Sequence, residues 1–172
     1  QRPAWLFSPH GDARPTGREP LLNSEFGNWG LPDAHDLLDG EGREPWWFGT
    51  GSTWNDGVVH PAGVRERYAA SALPAVFGAY AHFVRATQVQ QFRALKHEIE
   101  ALRQHESLNG YVITEFTDVH WECNGLLNQN RRPKAAHNLY PTVIAGTQVI
   151  VRPLAAADPA ALAPSSGAPG TG

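Results

Sequence analysis

Two short apolar runs, each ending beside carboxylates, predict the two strands around which the chain is organised. Residues 21–24 form the first run, and Glu25 follows directly. The second run spans residues 111–116, contains Glu115 and leads to Asp118. Continuous apolar runs of this length are typical of buried strands in parallel sheets. Because such folds keep their chemistry at the carboxyl ends of the strands, we expect these carboxylates to lie at a functional rim.

Residues 64–105, between the two strands, are predicted to be helical, in two pieces separated near Pro74 and Gly78. The second piece has apolar side chains at helical spacing, which predict a face that docks on a neighbouring layer. These side chains are Val84, Phe92, Leu95, Ile99 and Leu102. A short helix is predicted over residues 133–139, followed by a strand-like run over 142–152. This alternation of strands and helices predicts an α/β fold with a parallel sheet.

The connection after the first strand, residues 26–63, is rich in glycine and contains four of the chain's six tryptophans. A connection of this length in a small domain is expected to be functional or to be an insertion at a rim. Trp29, Trp46, Trp47 and Trp54 have two open interpretations. They form a minor hydrophobic core that holds the loop, or some of them stack on the apolar faces of sugar rings.

Composition narrows the classes of partner. The formal net charge of -3 and a pI near 6.2 argue against nucleic acid or an anionic membrane surface as the main partner. No apolar run in the sequence is long enough to span a bilayer. The single cysteine excludes an internal disulfide framework, and Cys123 is interpreted as a small buried hydrophobe rather than a nucleophile. The composition of residues 1–17 predicts an irregular segment, and the Ala/Pro/Gly/Ser-rich composition of residues 154–172 predicts a disordered tail.

The polar residues after the second strand have two interpretations. At strand spacing Asp118, His120 and Glu122 share one face, and this pattern is the basis for a metal-dependent hydrolase as an alternative function. A hydrogen-bonded polar rim is the commoner use of such residues and is the favoured interpretation. Three basic residues at the start of the predicted last helix are interpreted as a solvated edge. They are Arg131, Arg132 and Lys134.

Two segments together resemble a known family. Residues 20–27, Pro-Leu-Leu-Asn-Ser-Glu-Phe-Gly, are similar to the seventh strand of the β-galactosidase/β-glucuronidase family (glycoside hydrolase family two), in which the Glu of that strand is the catalytic nucleophile. Residues 110–118, followed by Asn-Gly-Leu-Leu at 124–127 and Arg-Arg-Pro-Lys-Ala-Ala at 131–136, are similar to the eighth strand and its helix. The resemblance covers about residues 18–153, in the right order.

The resemblance implies that residues 18–141 are the last two βα units of a (β/α)8 TIM barrel, strands seven and eight. Residues 142–153 are then expected to be a strand leading to a following β-domain. The implied activity is retaining hydrolysis of β-linked sugars of the galactoside, glucuronide or mannoside class, with Glu25 as nucleophile. No cofactor is required, and the rest of the barrel is expected to be necessary for stable folding. The implied substrate-binding residues are Asn28, Trp29, Trp54, Glu115, Asp118, Trp121 and Glu122.

Two features of the sequence depart from the family pattern. The family's general acid/base is a Glu that follows an Asn at the end of strand four, and this sequence contains no Asn-Glu pair. Ungapped alignment also places Thr114 where the family has a tryptophan on strand eight. Because a retaining mechanism needs both carboxylates, we expect no turnover from this chain alone. A carbohydrate-binding protein without catalysis is therefore a further alternative.

Overall fold

The computed structural model describes residues 20–48, 62–106, 108–120 and 122–151. Its regular elements are β1 (Leu21–Phe26), α1 (Val64–Ala69), α2 (Leu73–Phe77), α3 (Tyr80–Arg103), β2 (Leu108–Ile113) and α4 (Tyr140–Ile144). Single 3-10 turns occur at Ala34–Leu37, 46–48 and His137–Leu139. The expectations for residues 1–17, Trp54, Trp121 and 154–172 lie outside the described residues.

The two strands pair in parallel, as the sequence predicts. Leu22 lies opposite Gly110, Asn23 opposite Tyr111, and Phe26, the last residue of β1, opposite Ile113. β2 spans Leu108–Ile113 rather than residues 111–116, because the chain turns out of the ladder at Thr114. Within the described ranges the sheet has these two strands alone, so the remaining strands of a barrel stay a prediction.

The helical region between the strands is divided into three helices rather than two. Pro74 lies in the first turn of α2, where its missing N–H costs no helical hydrogen bond. Gly78 ends α2 with a φ of 71°, a backbone conformation that favours glycine. α3 then continues for 24 residues. Across the described parts of the chain, no helix combines the length and apolar character needed to cross a membrane.

One face of α3 packs against the sheet and the loops, and its apolar stripe matches the prediction. Val84, Leu95, Ile99 and Leu102 are buried, whereas Phe92 is half-buried. Gln91 is also buried on this face, which the sequence analysis missed. The helix therefore presents both apolar and polar groups to the rest of the fold.

Polar side chains of α3 hold the backbone of the loops that leave the strands. The Gln91 amide donates to the carbonyls of Asn124 and Gly125, at 2.9 and 3.0 Å. The Gln88 amide donates to the carbonyl of Leu31 at 2.8 Å, while its Oε1 accepts from the Ala135 N–H at 2.9 Å. These bonds satisfy loop backbone groups that would otherwise be unpaired, and they fix the loops against the helix.

The predicted elements at the end of the described chain are wrong. Residues 133–139 form a helix only in the 3-10 turn His137–Leu139, because Pro133 pairs with Leu127 in a β-bridge. α4 occupies Tyr140–Ile144, where the sequence suggests the start of a strand, and residues 145–151 form no strand. Tyr140 and Val143 of α4 are buried, so tertiary packing of this face overrides the β-propensity of the run.

Gly27, directly after β1, lies where the backbone at the end of β1 comes very close to the backbone that follows β2. A Cβ atom at this position would lie 1.9 Å from the carbonyl oxygen of Thr114. A Cβ at Gly40, in contrast, would meet no atom within 4 Å. The strand ends can therefore come together only with glycine at position 27.

We expect Gly27→Ala to lower the free energy of unfolding by about 3 kcal/mol, because the added methyl group pushes the backbone at residue 27 away from the backbone at Thr114. Gly40→Ala is the matched control and is expected to change it by less than about 0.5 kcal/mol. Urea unfolding followed by circular dichroism measures both. Equal stability of the two variants would contradict the close approach of Gly27 to Thr114.

Candidate functional site

The carboxyl ends of β1 and β2 bring the predicted carboxylates to one edge of the sheet. Glu25 is the penultimate residue of β1 and is exposed. Glu115 follows β2 by two residues, after a cis peptide bond between Thr114 and Glu115. Because the strands are parallel neighbours, both residues lie at the same edge, as the sequence predicts.

The neighbouring carboxylates act on Glu115. Burial raises the pKa of Glu115, and the charges of Glu122, Asp118 and Glu25 raise it further, in that order of importance. Its Oε1 atom is buried without a hydrogen-bond partner. The structure therefore gathers the four acidic residues of the predicted site into one electrostatic group, in which the pKa of Glu115 is raised.

The segment after β2, residues 114–127, folds back on itself and is named the rim loop. The N–H of Leu126 donates to the carbonyl of Glu115 at 2.9 Å, and that of Leu127 donates to Phe116 at 3.0 Å. Gly125 lies so close to the start of the loop that an added Cβ would be 2.2 Å from the backbone nitrogen of Asp118. These backbone contacts keep Glu115 and Glu122 on the same compact loop.

A buried ion pair anchors the rim loop. The Lys134 ammonium donates to Asp118 Oδ1 at 2.7 Å, to the carbonyl of Cys123 at 2.8 Å and to that of Gly30 at 2.9 Å. The side chains of Lys134 and Asp118 are only 3% and 1% exposed. The interpretation of Lys134 as part of a solvated edge is therefore wrong, whereas Arg131 is exposed as expected.

Burial dominates the titration of this pair. Loss of hydration raises the pKa of Asp118 and lowers the pKa of Lys134, and the charge of each partner opposes the shift of the other. Asp118 Oδ1 also accepts the Gly125 N–H at 3.0 Å. The family resemblance implies that Asp118 contacts substrate, but the structure places it inside the protein, where it supports the loop that carries Glu115.

Cys123 is buried, which confirms its interpretation as a small hydrophobe. Burial raises the pKa of its thiol to about 12, so the reactive thiolate is disfavoured at neutral pH. The metal alternative also lacks support, since no three His, Cys, Asp or Glu side chains in the described ranges are arranged to hold a metal ion. Asp118, one of its three ligands, is committed to Lys134.

Asn28 and Trp29 lie where the chain leaves β1, but they differ in what they contact. The Asn28 amide donates to Glu98 Oε1 on α3 at 2.6 Å, whereas Trp29 is exposed. Glu98 is a neighbour of the site that the sequence analysis missed. Glu98 follows Gln91 by seven residues, so both lie on the face of α3 that docks on the loops. Polar residues on this otherwise apolar face are the sequence signal that could have identified them.

The aromatic residues at 46–48 confirm the minor-core interpretation for Trp47, whereas stacking of a loop tryptophan on sugar stays a prediction. Trp47, 8% exposed, and Phe48 are buried in a small cluster with Ala34. Trp46 is 76% exposed and lies beside His120 of the rim loop, with ring centroids 6.3 Å apart. One tryptophan therefore belongs to a minor core, and its neighbour faces solvent next to the rim.

Comparisons with protein-family models, with curated proteins and with solved structures found no match for this chain. The resemblance to the β-galactosidase/β-glucuronidase family rests on the sequence segments named above, and it stays a prediction.

We expect Lys134→Met to lower the free energy of unfolding by about 3 to 5 kcal/mol, because it leaves the Asp118 carboxylate and two carbonyls buried without their cation. Asp118→Leu is expected to cost a similar amount. The double variant should cost clearly less than the sum of the two, since neither charge is then left unpaired. Urea unfolding of the three variants measures this coupling.

Arg43→Met is the matched control for that experiment. Arg43 pairs with Asp39 at 2.9 Å on the surface, where both side chains are well exposed. A solvent-exposed pair contributes little to stability, so the control is expected to change the free energy of unfolding little. A loss in Lys134→Met no larger than the loss in Arg43→Met would contradict the anchoring role of the buried ammonium.

Glu115→Gln tests the electrostatics of the rim. Because folding raises the pKa of Glu115, its stabilising contribution is present below its ordinary value of 4.5 and is lost as pH rises through the folded value. The variant and the wild type should therefore be equally stable below pH 4.5, and the variant should be the more stable at neutral pH. Thermal unfolding across this pH range measures the difference. A variant that is less stable than the wild type at neutral pH would show that Glu115 is not destabilised by its neighbours.

Proposed function

We propose that the chain is the C-terminal part of the catalytic barrel of a retaining glycoside hydrolase of the β-galactosidase/β-glucuronidase type, acting on β-linked sugars. The observation that carries the proposal is the position of Glu25 and Glu115 at the same end of two adjacent parallel strands, where the charge of Glu25 contributes to the raised pKa of Glu115. Strands of this kind deliver rigid carboxylates to a catalytic face.

Glu25 has the properties that a nucleophile in this reaction needs. It is exposed near a strand end, between Asn23 and Phe26, which pair with β2 on either side of it, and Gly27 follows in close approach to Thr114. In the first step a Glu25 oxygen attacks the anomeric carbon while the bond to the leaving-group oxygen breaks and that oxygen takes a proton from the acid/base. Water then releases the sugar from the glycosyl ester.

The second carboxylate of the mechanism is proposed to lie on another strand of the barrel. Retaining enzymes place the acid/base about 5 to 5.5 Å from the nucleophile. Glu115 is proposed to form a hydrogen bond with a sugar hydroxyl, because its Oε1 atom has no hydrogen-bond partner in the protein. Glu122, which is exposed on the rim loop, is a further candidate for substrate contact.

The exposed face of the sheet supports a larger barrel. Leu22, Gly110 and Val112 lie on one face of the two strands, and both larger side chains are exposed. Parallel sheets are normally buried on both faces, so this face is expected to be covered by other strands and their side chains. The proposed partners are therefore a carbohydrate substrate and the rest of the barrel.

Trapping of the covalent intermediate tests the proposal. The intact barrel protein is incubated with activated 2-deoxy-2-fluoro glycosides of galactose, glucuronic acid, mannose and glucose, then digested for mass spectrometry. We expect one glycoside to leave a sugar adduct on the peptide that contains Glu25, because the fluorine slows both steps while the activated leaving group keeps formation of the glycosyl ester faster than its hydrolysis.

Glu25→Gln is expected to abolish the adduct, whereas Glu66→Gln on α1 is the matched control and should retain it. An adduct on a different carboxylate would assign the nucleophile elsewhere. A folded protein that binds sugars without labelling would support a carbohydrate-binding protein without catalysis and overturn the proposal.

A further inference from the structure

The 3-10 turn at 46–48 is a rigid support for an exposed indole. Trp47 and Phe48 are buried with Ala34, and the cluster is completed by the half-buried Leu37, Val64 and Tyr80. The N–H of Phe48 donates to Pro45 at 3.0 Å, and its carbonyl accepts from Ala62 at 3.2 Å. With its two following residues fixed in this way, Trp46 has little freedom to turn inward.

Trp46 is held next to the rim loop through His120. The His120 ring lies near both indoles, with its centroid 6.3 Å from that of Trp46 and 5.8 Å from that of Trp47. His120 has a φ of 53° and occupies the turn closed by mutual backbone hydrogen bonds of Val119 and Glu122. Glu122 is the carboxylate that most strongly raises the pKa of Glu115. The exposed indole is therefore adjacent to the acidic rim.

We propose that Trp46 and His120 form a stacking platform for a sugar ring of the substrate. The inference rests on the proposed function and assigns one of its subsites. The indole face takes up the apolar C–H face of a pyranose, and the imidazole, which can both donate and accept, binds a hydroxyl at the edge of that ring.

The polar surroundings favour a sugar over an apolar protein partner. Arg43 and Glu44, close to Trp46 in the chain, are exposed, as is Glu122, two residues after His120. An apolar partner would have to remove water from these charges without replacing their hydrogen bonds. A sugar offers an apolar face to the indole and hydroxyls to the charged and polar neighbours, as small-ligand sites require.

Fluorine NMR of the protein labelled with 5-fluorotryptophan tests the platform directly. The Trp46 signal is assigned by its loss in Trp46→Tyr. The probes are the methyl β-glycosides of glucose, galactose, mannose and glucuronic acid. We expect a saturable shift of the Trp46 signal with at least one probe, while the signal of the buried Trp47 stays nearly unchanged. No shift of the Trp46 signal with any of the four would overturn the inference.

Variants measured by calorimetry with the bound probe complete the test. Trp46→Ala is expected to weaken binding about tenfold, and Trp46→Tyr should retain most of the affinity because it keeps an aromatic face. Val76→Ala, at an exposed apolar position of α2, is the control and should bind like the wild type. Unchanged fluorine signals of the other tryptophans establish that Trp46→Ala is folded. Wild-type affinity in Trp46→Ala would contradict stacking.

The two proposals fail in different ways. Labelling of Glu25 without any response of Trp46 would leave the glycoside hydrolase proposal in place and overturn the platform. A response of Trp46 without labelling of Glu25 would support the platform in a protein that binds sugars and does not cleave them.

Discussion

The buried Lys134 ammonium is the interaction on which the rim of this fold depends. It joins the exit of β1 at Gly30, the rim loop at Asp118 and Cys123, and the segment that leads to α4. A buried cation loses its hydration, and only a full set of oxygen acceptors at hydrogen-bond distance compensates for that loss. The three segments must therefore keep their relative positions for the pair to be stable.

Polar groups of α3 extend this constraint to the rest of the site. Gln91 and Gln88 hold the loop carbonyls at 124–125 and 31, and Glu98 holds the side chain of Asn28. The rim is thus fixed by buried and partly buried hydrogen bonds to α3, while Glu25, Glu122 and Trp46 remain exposed. Such a division between a rigid polar support and an exposed acidic edge is what a site needs if it is to hold a carboxylate in a defined position.

Much of the architecture could be predicted from local pattern. The two strands, the helix between them and its buried Val84, Leu95, Ile99 and Leu102 follow from apolar runs and helical spacing, because burial of apolar surface is set by the residues themselves. The gathering of Glu25 and Glu115 at one edge also follows, since parallel strands share their carboxyl ends. The prediction was poorest over 133–152, where β-branched residues favour a strand and packing of Tyr140 and Val143 selects a helix.

By itself the sequence determined where strands and the long helix form and which end of the strands carries the acids. Only the tertiary structure decided which polar residues support the site and which face solvent. Lys134 and Arg131 are alike in sequence, yet one is buried against a carbonyl 104 residues away and the other is exposed. Trp46 and Trp47 differ in the same way. The physical reason is that burying a charge or fixing an indole requires partners supplied by distant segments, and no local pattern encodes where those partners lie.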